Sequence, residues 1–144
     1  MELGTGSGIS ADAFLTGLRI TNGVLYSIDL YPEREPVKST IQRLKSNTHF
    51  IFIHSDSVEV SKAWKNKKID ILYVDSDHSY DHVLEELTQW GKFEPQVTLV
   101  HDILGPDDNK GAPYFACEKY AEKSGVTFYP MTGFPCGLGV IIHE

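Results

Sequence analysis

The sequence is poor in cysteine, in positive charge and in long apolar runs, and each shortage excludes something. Its two cysteines, Cys117 and Cys136, lie far apart and form no CxxC pair. That excludes a clustered thiolate zinc site and a disulfide framework, and leaves buried or half-buried free thiols. Lys and Arg number 13 against 20 Asp and Glu, a formal charge of −7 that disfavours nucleic acid and anionic membrane surfaces. The short basic run Lys65-Asn66-Lys67-Lys68 reads as a solvated helix end. No apolar stretch is long enough to span a bilayer, no basic-then-apolar leader opens the chain, and no repeat or low-complexity linker divides it. What remains is one domain, residues 1–144, large enough for a single core and expected in the cytoplasm.

What is present begins at once. Glu2-Leu3-Gly4-Thr5-Gly6-Ser7-Gly8-Ile9-Ser10 places an acid before three glycines at alternate positions, then a run able to start a helix. Glycine suits a backbone that must turn sharply and admit a ligand, and such a strand–loop–helix junction aims N–H groups at a nucleotide-like ligand. The pattern then alternates. A helix is expected from Ile9 to Leu18, with Ile9, Ala13, Phe14 and Leu18 near one face, then a strand Val24–Asp29. A helix opening at Pro32 or Glu33 carries Val37, Ile41 and Leu44, and Phe50–Ile53 is a buried-type strand. Ser57 is the expected N-cap of the next helix, Ile69–Val74 the fourth strand, and Ser79 the cap of a helix with Val83, Leu84, Leu87 and Trp90 at helical spacing. Val97–Val100, a helix from near Pro113, and strands Val126–Tyr129 and Leu138–Ile142 complete the chain.

Alternating elements with near-continuous apolar strands predict an α/β fold: a Rossmann-like, doubly wound parallel sheet with helices on both faces. Five strands run in order into Glu2, Asp29, Asp56, Asp75 and Asp102. Ligands of such sheets bind outside the carboxyl ends of the strands, so acids there mark a site. Each acid also has a plainer role. Asp29 and Asp56 suit loop caps, Asp77 and His78 suit the start of a helix, and His101 suits a hydrogen-bonded structural histidine. His49, His54, His82 and His143 are read as structural or surface residues, and Trp64 and Trp90 as helix-to-sheet packing.

Taken together, Glu2-x-Gly4-x-Gly6-x-Gly8, Asp29, Asp56, Asp75-Ser76-Asp77-His78-Ser79-Tyr80 and His101-Asp102 resemble the class I S-adenosylmethionine-dependent methyltransferases. The likeness is to their small, metal-dependent O-methyltransferase branch, and it covers essentially the whole chain. It implies seven strands, mostly parallel, the last antiparallel. It also implies that Gly4, Thr5, Gly6, Ser7 and Gly8 wrap the cofactor, with Glu2 at its amino group, Asp29 at the ribose hydroxyls, and Asp56 with Ser57 at the adenine. Asp75 borders the cofactor and, with Asp102 and His101, holds a divalent cation, magnesium by family precedent. Asp77, or else His78, is the base that deprotonates the hydroxyl of a small-molecule acceptor. The stretch 104–112 is a lid or acceptor loop.

Two other readings compete. Gly6-Ser7-Gly8-Ile9-Ser10-Ala11 also fits a relaxed dinucleotide fingerprint with Asp29 at ribose distance, as in an NAD-dependent dehydrogenase. Against it, no Tyr is followed four residues later by Lys, and acids on the fourth and fifth strands have no part in hydride transfer. The other is a weakly active or inactive cofactor-binding module. Relatives carry a longer first strand and helices before it, whereas only Met1 precedes Glu2, so the first strand is expected to be a stub, the chain being either a truncation or covered by a second copy or a partner.

Overall fold

The carboxyl ends of five parallel strands share one edge of a single sheet, and that edge carries the acids singled out above. The structure, a computed structural model, describes residues 1–65, 68–106 and 109–143. Its strands are β1 (Glu2–Leu3), β2 (Leu25–Asp29), β3 (Phe50–His54), β4 (Ile71–Val74), β5 (Val97–His101), β6 (Thr127–Met131) and β7 (Leu138–Ile142). The helices are α1 (Ile9–Thr21), α2 (Val37–Leu44), α3 (Ser57–Ala63), α4 (Tyr80–Trp90) and α5 (Ala112–Ser124). Strand order is β3-β2-β1-β4-β5-β7-β6, and β7 runs antiparallel to both neighbours, as expected for the last strand. β1 is indeed two residues long, yet central: Glu2 and Leu3 pair with Ser27 and Ile28 on one side and Tyr73 and Val74 on the other. The winding reverses between β1 and β4, which opens a crevice beyond their carboxyl ends.

Two apolar layers hold the sheet. The larger joins α4 and α5 to the sheet through Val83, Leu87, Trp90, Cys117 and Tyr120, with Leu3, Leu72, Val100 and Ile141 from the strands. The smaller joins α1 and α2 to the opposite face through Ala11, Leu15, Leu25, Leu44 and Phe50. Trp90 is fully buried, and its indole N–H donates to the Ser57 carbonyl at 3.1 Å, as a buried Trp requires. No helix among the described residues is long and apolar enough to cross a membrane.

Several local expectations are corrected. α1 meets the sheet through Ala11, Leu15 and Leu18, an equally regular stripe, and leaves Ile9 78% exposed. α2 begins at Val37 rather than near Pro32, because Pro36 disfavours helical backbone at Glu35 before it. Asp56, not Ser57, caps α3, its Oδ1 accepting from the Val58 and Glu59 N–H groups. Ser79 occupies the N-cap position of α4 without a side-chain cap bond. Cys117 is buried but Cys136 is exposed. α3 ends at Ala63, so Lys65 and Lys68 lie beyond a helix end, and Asn66 and Lys67 fall outside the described residues. The stretch 104–112 includes Asp107 and Asp108, also outside them; Leu104 and Lys110 bridge its base.

Candidate active site

The glycine loop is shaped by what it touches. Gly4 has φ +91°, and a Cβ there would stand 2.0 Å from the Asp75 carbonyl oxygen, so the loop lies directly on the end of β4. Gly8, at φ +75°, is the N-cap of α1 and abuts Thr40 on α2. Beneath the loop, Glu2 is fully buried and accepts hydrogen bonds from Ser10 Oγ at 2.6 Å and from Ser27 Oγ. Burial raises the Glu2 pKa, and the two hydroxyls oppose that shift. Thr5 is buried and shares a hydrogen bond with Ser27, whereas Ser7 is exposed. Glu2 therefore braces the loop from below, with both oxygens already engaged.

The next acids also anchor backbone. Asp29 Oδ2 accepts from the Thr5 N–H at 3.0 Å, and Oδ1 from the Tyr31 N–H at 2.9 Å. One carboxylate thus locks the glycine loop to the loop after β2. Gly4, Gly6, Asp29, Asp56, Ser57 and Asp75 line a cavity of about 500 Å³ at the crevice, together with Tyr31, Ser76, Asp77 and His82. A second, more apolar cavity of about 550 Å³ opens at the amino-terminal ends of the strands, near Met1, Phe14, Tyr26 and Trp64. It holds none of the acids at the carboxyl edge, so the crevice is the candidate site.

One member of that wall escaped the sequence reading. Glu86 on α4 is fully buried and accepts hydrogen bonds from Ser57 Oγ at 2.5 Å and Ser76 Oγ at 2.7 Å. His82 Nε2 lies 3.2 Å from the same carboxylate, and that bond raises the His82 pKa. His82 is therefore part of the cavity rather than a surface histidine. The signal for Glu86 was its register: Val83, Glu86, Leu87 and Trp90 share one helical stripe, and a carboxylate inside an apolar stripe needs buried partners.

Beyond β4 and β5 the arrangement changes. Asp75, His78, His101 and Asp102 each bring one ligand atom to within 4.8 Å of the others. His78 Nε2 is 3.3 Å from Asp75 Oδ1 and 3.8 Å from Asp102 Oδ2; His101 Nδ1 is 3.3 Å from Asp75 Oδ1 and 3.0 Å from Asp102 Oδ1. Adjacent residues on a strand point to opposite faces, yet His101 and Asp102 face each other, because Asp102 turns into the left-handed region at φ +52°. His101 Nδ1 and Asp102 Oδ1 are shut from solvent and, despite their 3.0 Å separation, make no aligned hydrogen bond. Tyr73 Oη donates to Asp75 Oδ2 at 3.3 Å and fixes that carboxylate, while burial raises the phenol's pKa. Hydrogen bonding to Asp75 raises the His78 pKa, and the Asp102 charge raises that of the nearby Cys136 thiol. Two carboxylates and two imidazoles around a gap, with buried polar atoms unmatched, fit a divalent cation. Asp77 stands apart from this group: its Oδ1 accepts from the Ser79 N–H at 2.7 Å, and hydrogen bonds from Ser79 hold its pKa low.

Comparisons with known proteins bear on the fold and the family. A methyltransferase of Podospora anserina, solved with SAH bound, superposes with a TM-score of 0.74 at 16% identity, covering 99% of this chain and 70% of that one. A Staphylococcus aureus protein assigned to the caffeoyl-CoA O-methyltransferases gives 0.72 at 14% identity, with 99% and 74% covered. Aeropyrum pernix fibrillarin, with S-adenosyl-L-methionine natively bound, gives 0.69 at 14%, with 98% and 64% covered. At such identities the likeness shows the fold, the Rossmann-like arrangement of methyltransferases. No curated protein matches by sequence. The methyltransferase-domain family matches residues 1–103, from β1 to just past the acidic end of β5, and the chain belongs to that family.

Proposed function

We propose that the chain transfers a methyl group from S-adenosylmethionine to a hydroxyl oxygen of a small molecule, with a divalent cation held beside the acceptor. The observation that carries the reading is the position of Asp75. It lines the cofactor-sized cavity and also belongs to the Asp/His group, so one strand end serves both.

The chain's own residues divide the task. The loop 4–8 and Asp29 hold the methionine and ribose portions; Asp29 already spends one lone pair per oxygen on backbone and keeps others for a vicinal diol. Asp56 and Ser57 border the adenine end, fixed by α3 and Glu86. S-adenosylmethionine supplies an electrophilic methyl on its sulfonium, and acidic walls suit that positive charge. A divalent cation held by Asp75, Asp102 and His101 would lower the pKa of an acceptor hydroxyl. Asp77, at the wall of the same cavity as Asp75, accepts the proton. Its low pKa suits only a hydroxyl already acidified in this way. Holding oxygen, methyl carbon and sulfur in line supplies the rest of the rate.

Calorimetry with S-adenosylmethionine and with NAD, each with and without a divalent cation, tests this. S-adenosylmethionine is expected to bind and NAD not; the reverse would sink the reading. Binding without turnover on any hydroxyl acceptor would favour the binding module.

A further inference from the structure

The four groups at the ends of β4 and β5 say more than that a cation fits; their chemistry discriminates between cations. Two of the four donors are imidazole nitrogens, and all four lie within 4.8 Å of one another, with 3.0, 3.3, 3.3 and 3.8 Å separating the histidine–aspartate pairs. Around a metal with bonds of about 2.1 Å, neighbouring ligands stand about 3.0 Å apart in an octahedron and about 3.4 Å apart in a tetrahedron. The group is thus within a small side-chain adjustment of coordinating distances. The unmatched atoms give the same direction. His101 Nδ1 and Asp102 Oδ1 are both excluded from water without a hydrogen bond, though 3.0 Å apart, and a cation between them would engage the nitrogen and the oxygen alike.

Magnesium is a poor match. It is hard, prefers an all-oxygen octahedron and dehydrates reluctantly, whereas imidazole suits zinc, iron and nickel. Resting on the proposed methyl-transfer reading, we infer that this centre takes a borderline transition-metal dication of the zinc, cobalt or iron(II) class through Asp75, His78, His101 and Asp102, in place of magnesium. His78 is then a ligand, its Nε2 lone pair committed to the metal. Asp77 alone remains to accept the acceptor's proton, and the closed Asp/His shell leaves fewer open positions for substrate than an aquated magnesium would.

The test uses the full chain stripped of metal with a chelator, then titrated with Zn²⁺, Co²⁺ and Mg²⁺ by calorimetry, with S-adenosylmethionine affinity measured on every preparation as a check of fold. Zn²⁺ and Co²⁺ are expected to bind one per chain, at least about 100-fold tighter than Mg²⁺, and bound Co²⁺ to show visible bands shifted by nitrogen ligation. His78→Ala and His101→Ala should each weaken Zn²⁺ by about tenfold or more, with S-adenosylmethionine affinity unchanged without metal. Mg²⁺ binding within a few-fold of Zn²⁺, or full Zn²⁺ affinity in the His78→Ala/His101→Ala double variant, overturns the inference and leaves an oxygen-ligated cation and methyl transfer standing. If S-adenosylmethionine fails to bind the parent while Zn²⁺ binds through these four residues, the methyl-transfer reading falls instead and the metal centre remains.

Discussion

The acids on the β1–β3 side of the crevice and those on the β4–β5 side lie along one sheet edge, yet they are held in opposite ways. On the first side every carboxylate is engaged: Glu2 by two serine hydroxyls, Asp29 by two backbone N–H groups, Asp56 by two more at the start of α3. On the second, Asp75 is held by Tyr73 and His78, but Asp102 Oδ1 and His101 Nδ1 are buried without a hydrogen bond. The first side is a finished surface on which a polar organic ligand can lie. The second keeps buried polar atoms unmatched that a cation would satisfy, and unpaired buried polar groups cost stability. Finished and unfinished acids should therefore respond to mutation with opposite signs.

The largest effect belongs to the finished side. Gly4→Ala places a methyl 2.0 Å from the Asp75 carbonyl oxygen at a backbone angle that L-residues avoid. Strain of about 1–3 kcal/mol or more would displace the loop, and S-adenosylmethionine affinity in calorimetry is expected to fall about 100-fold. Next, Glu86→Ala strips Ser57, Ser76 and His82 of a shared buried partner. A loss of about 3 kcal/mol in urea unfolding is expected, with Glu86→Gln costing less because it retains one acceptor oxygen. Asp29→Asn keeps the shape of the cradle and removes its charge, so the fold should persist while cofactor affinity drops about tenfold.

On the unfinished side the sign reverses. Asp102→Asn removes one of two facing carboxylates and suits the left-handed φ of +52° better than Asp does. Without metal, the variant is expected to melt slightly higher than the parent, by about 0.5–1 kcal/mol, while cation binding is lost. A clear drop in its melting temperature would break the comparison. The smallest effect concerns His82. Its pKa is raised above the ordinary 6.5 by its bond to Glu86, so the pair stabilises the fold at pH below that value. The contribution fades as pH climbs through the raised pKa. Thermal melts of the parent and His82→Gln should differ at pH 5.5 and converge by pH 8.5, and since the ring is only half-buried the difference stays under about 1 kcal/mol.

Much of this was legible from residue order. A strand's apolar run followed by an acid survives in one dimension, so Asp29, Asp75 and Asp102 stood out with their strands, and the glycines announced the crevice. What was not legible depends on contacts between distant segments. Glu86 looked like one more helix carboxylate until α4 turned it against Ser57 from α3 and Ser76 from the β4 loop. His78 read as the start of a helix or a base, and only the approach of β5 brings it against Asp102. Asp56 caps α3 in place of Ser57 because either neighbour can do so, and the Ser57 hydroxyl is drawn inward to the buried Glu86 on α4. The face of α1 was legible in part: Phe14 and Leu18 do pack on the core, but Ala11 and Leu15 are its buried positions, and Ile9 and Ala13 are exposed.

Gly4 carries one further consequence. With only a hydrogen atom between its backbone and the carbonyl of Asp75, the glycine loop packs main chain against main chain on the end of β4. No side chain stands between them to absorb a shift. If the proposed cofactor and cation both bind, whatever factor the cation adds to cofactor affinity the cofactor returns to the cation, because coupling between two binding equilibria is reciprocal. A crevice built this way fills in concert, and the order of arrival of its two occupants becomes a matter of concentration.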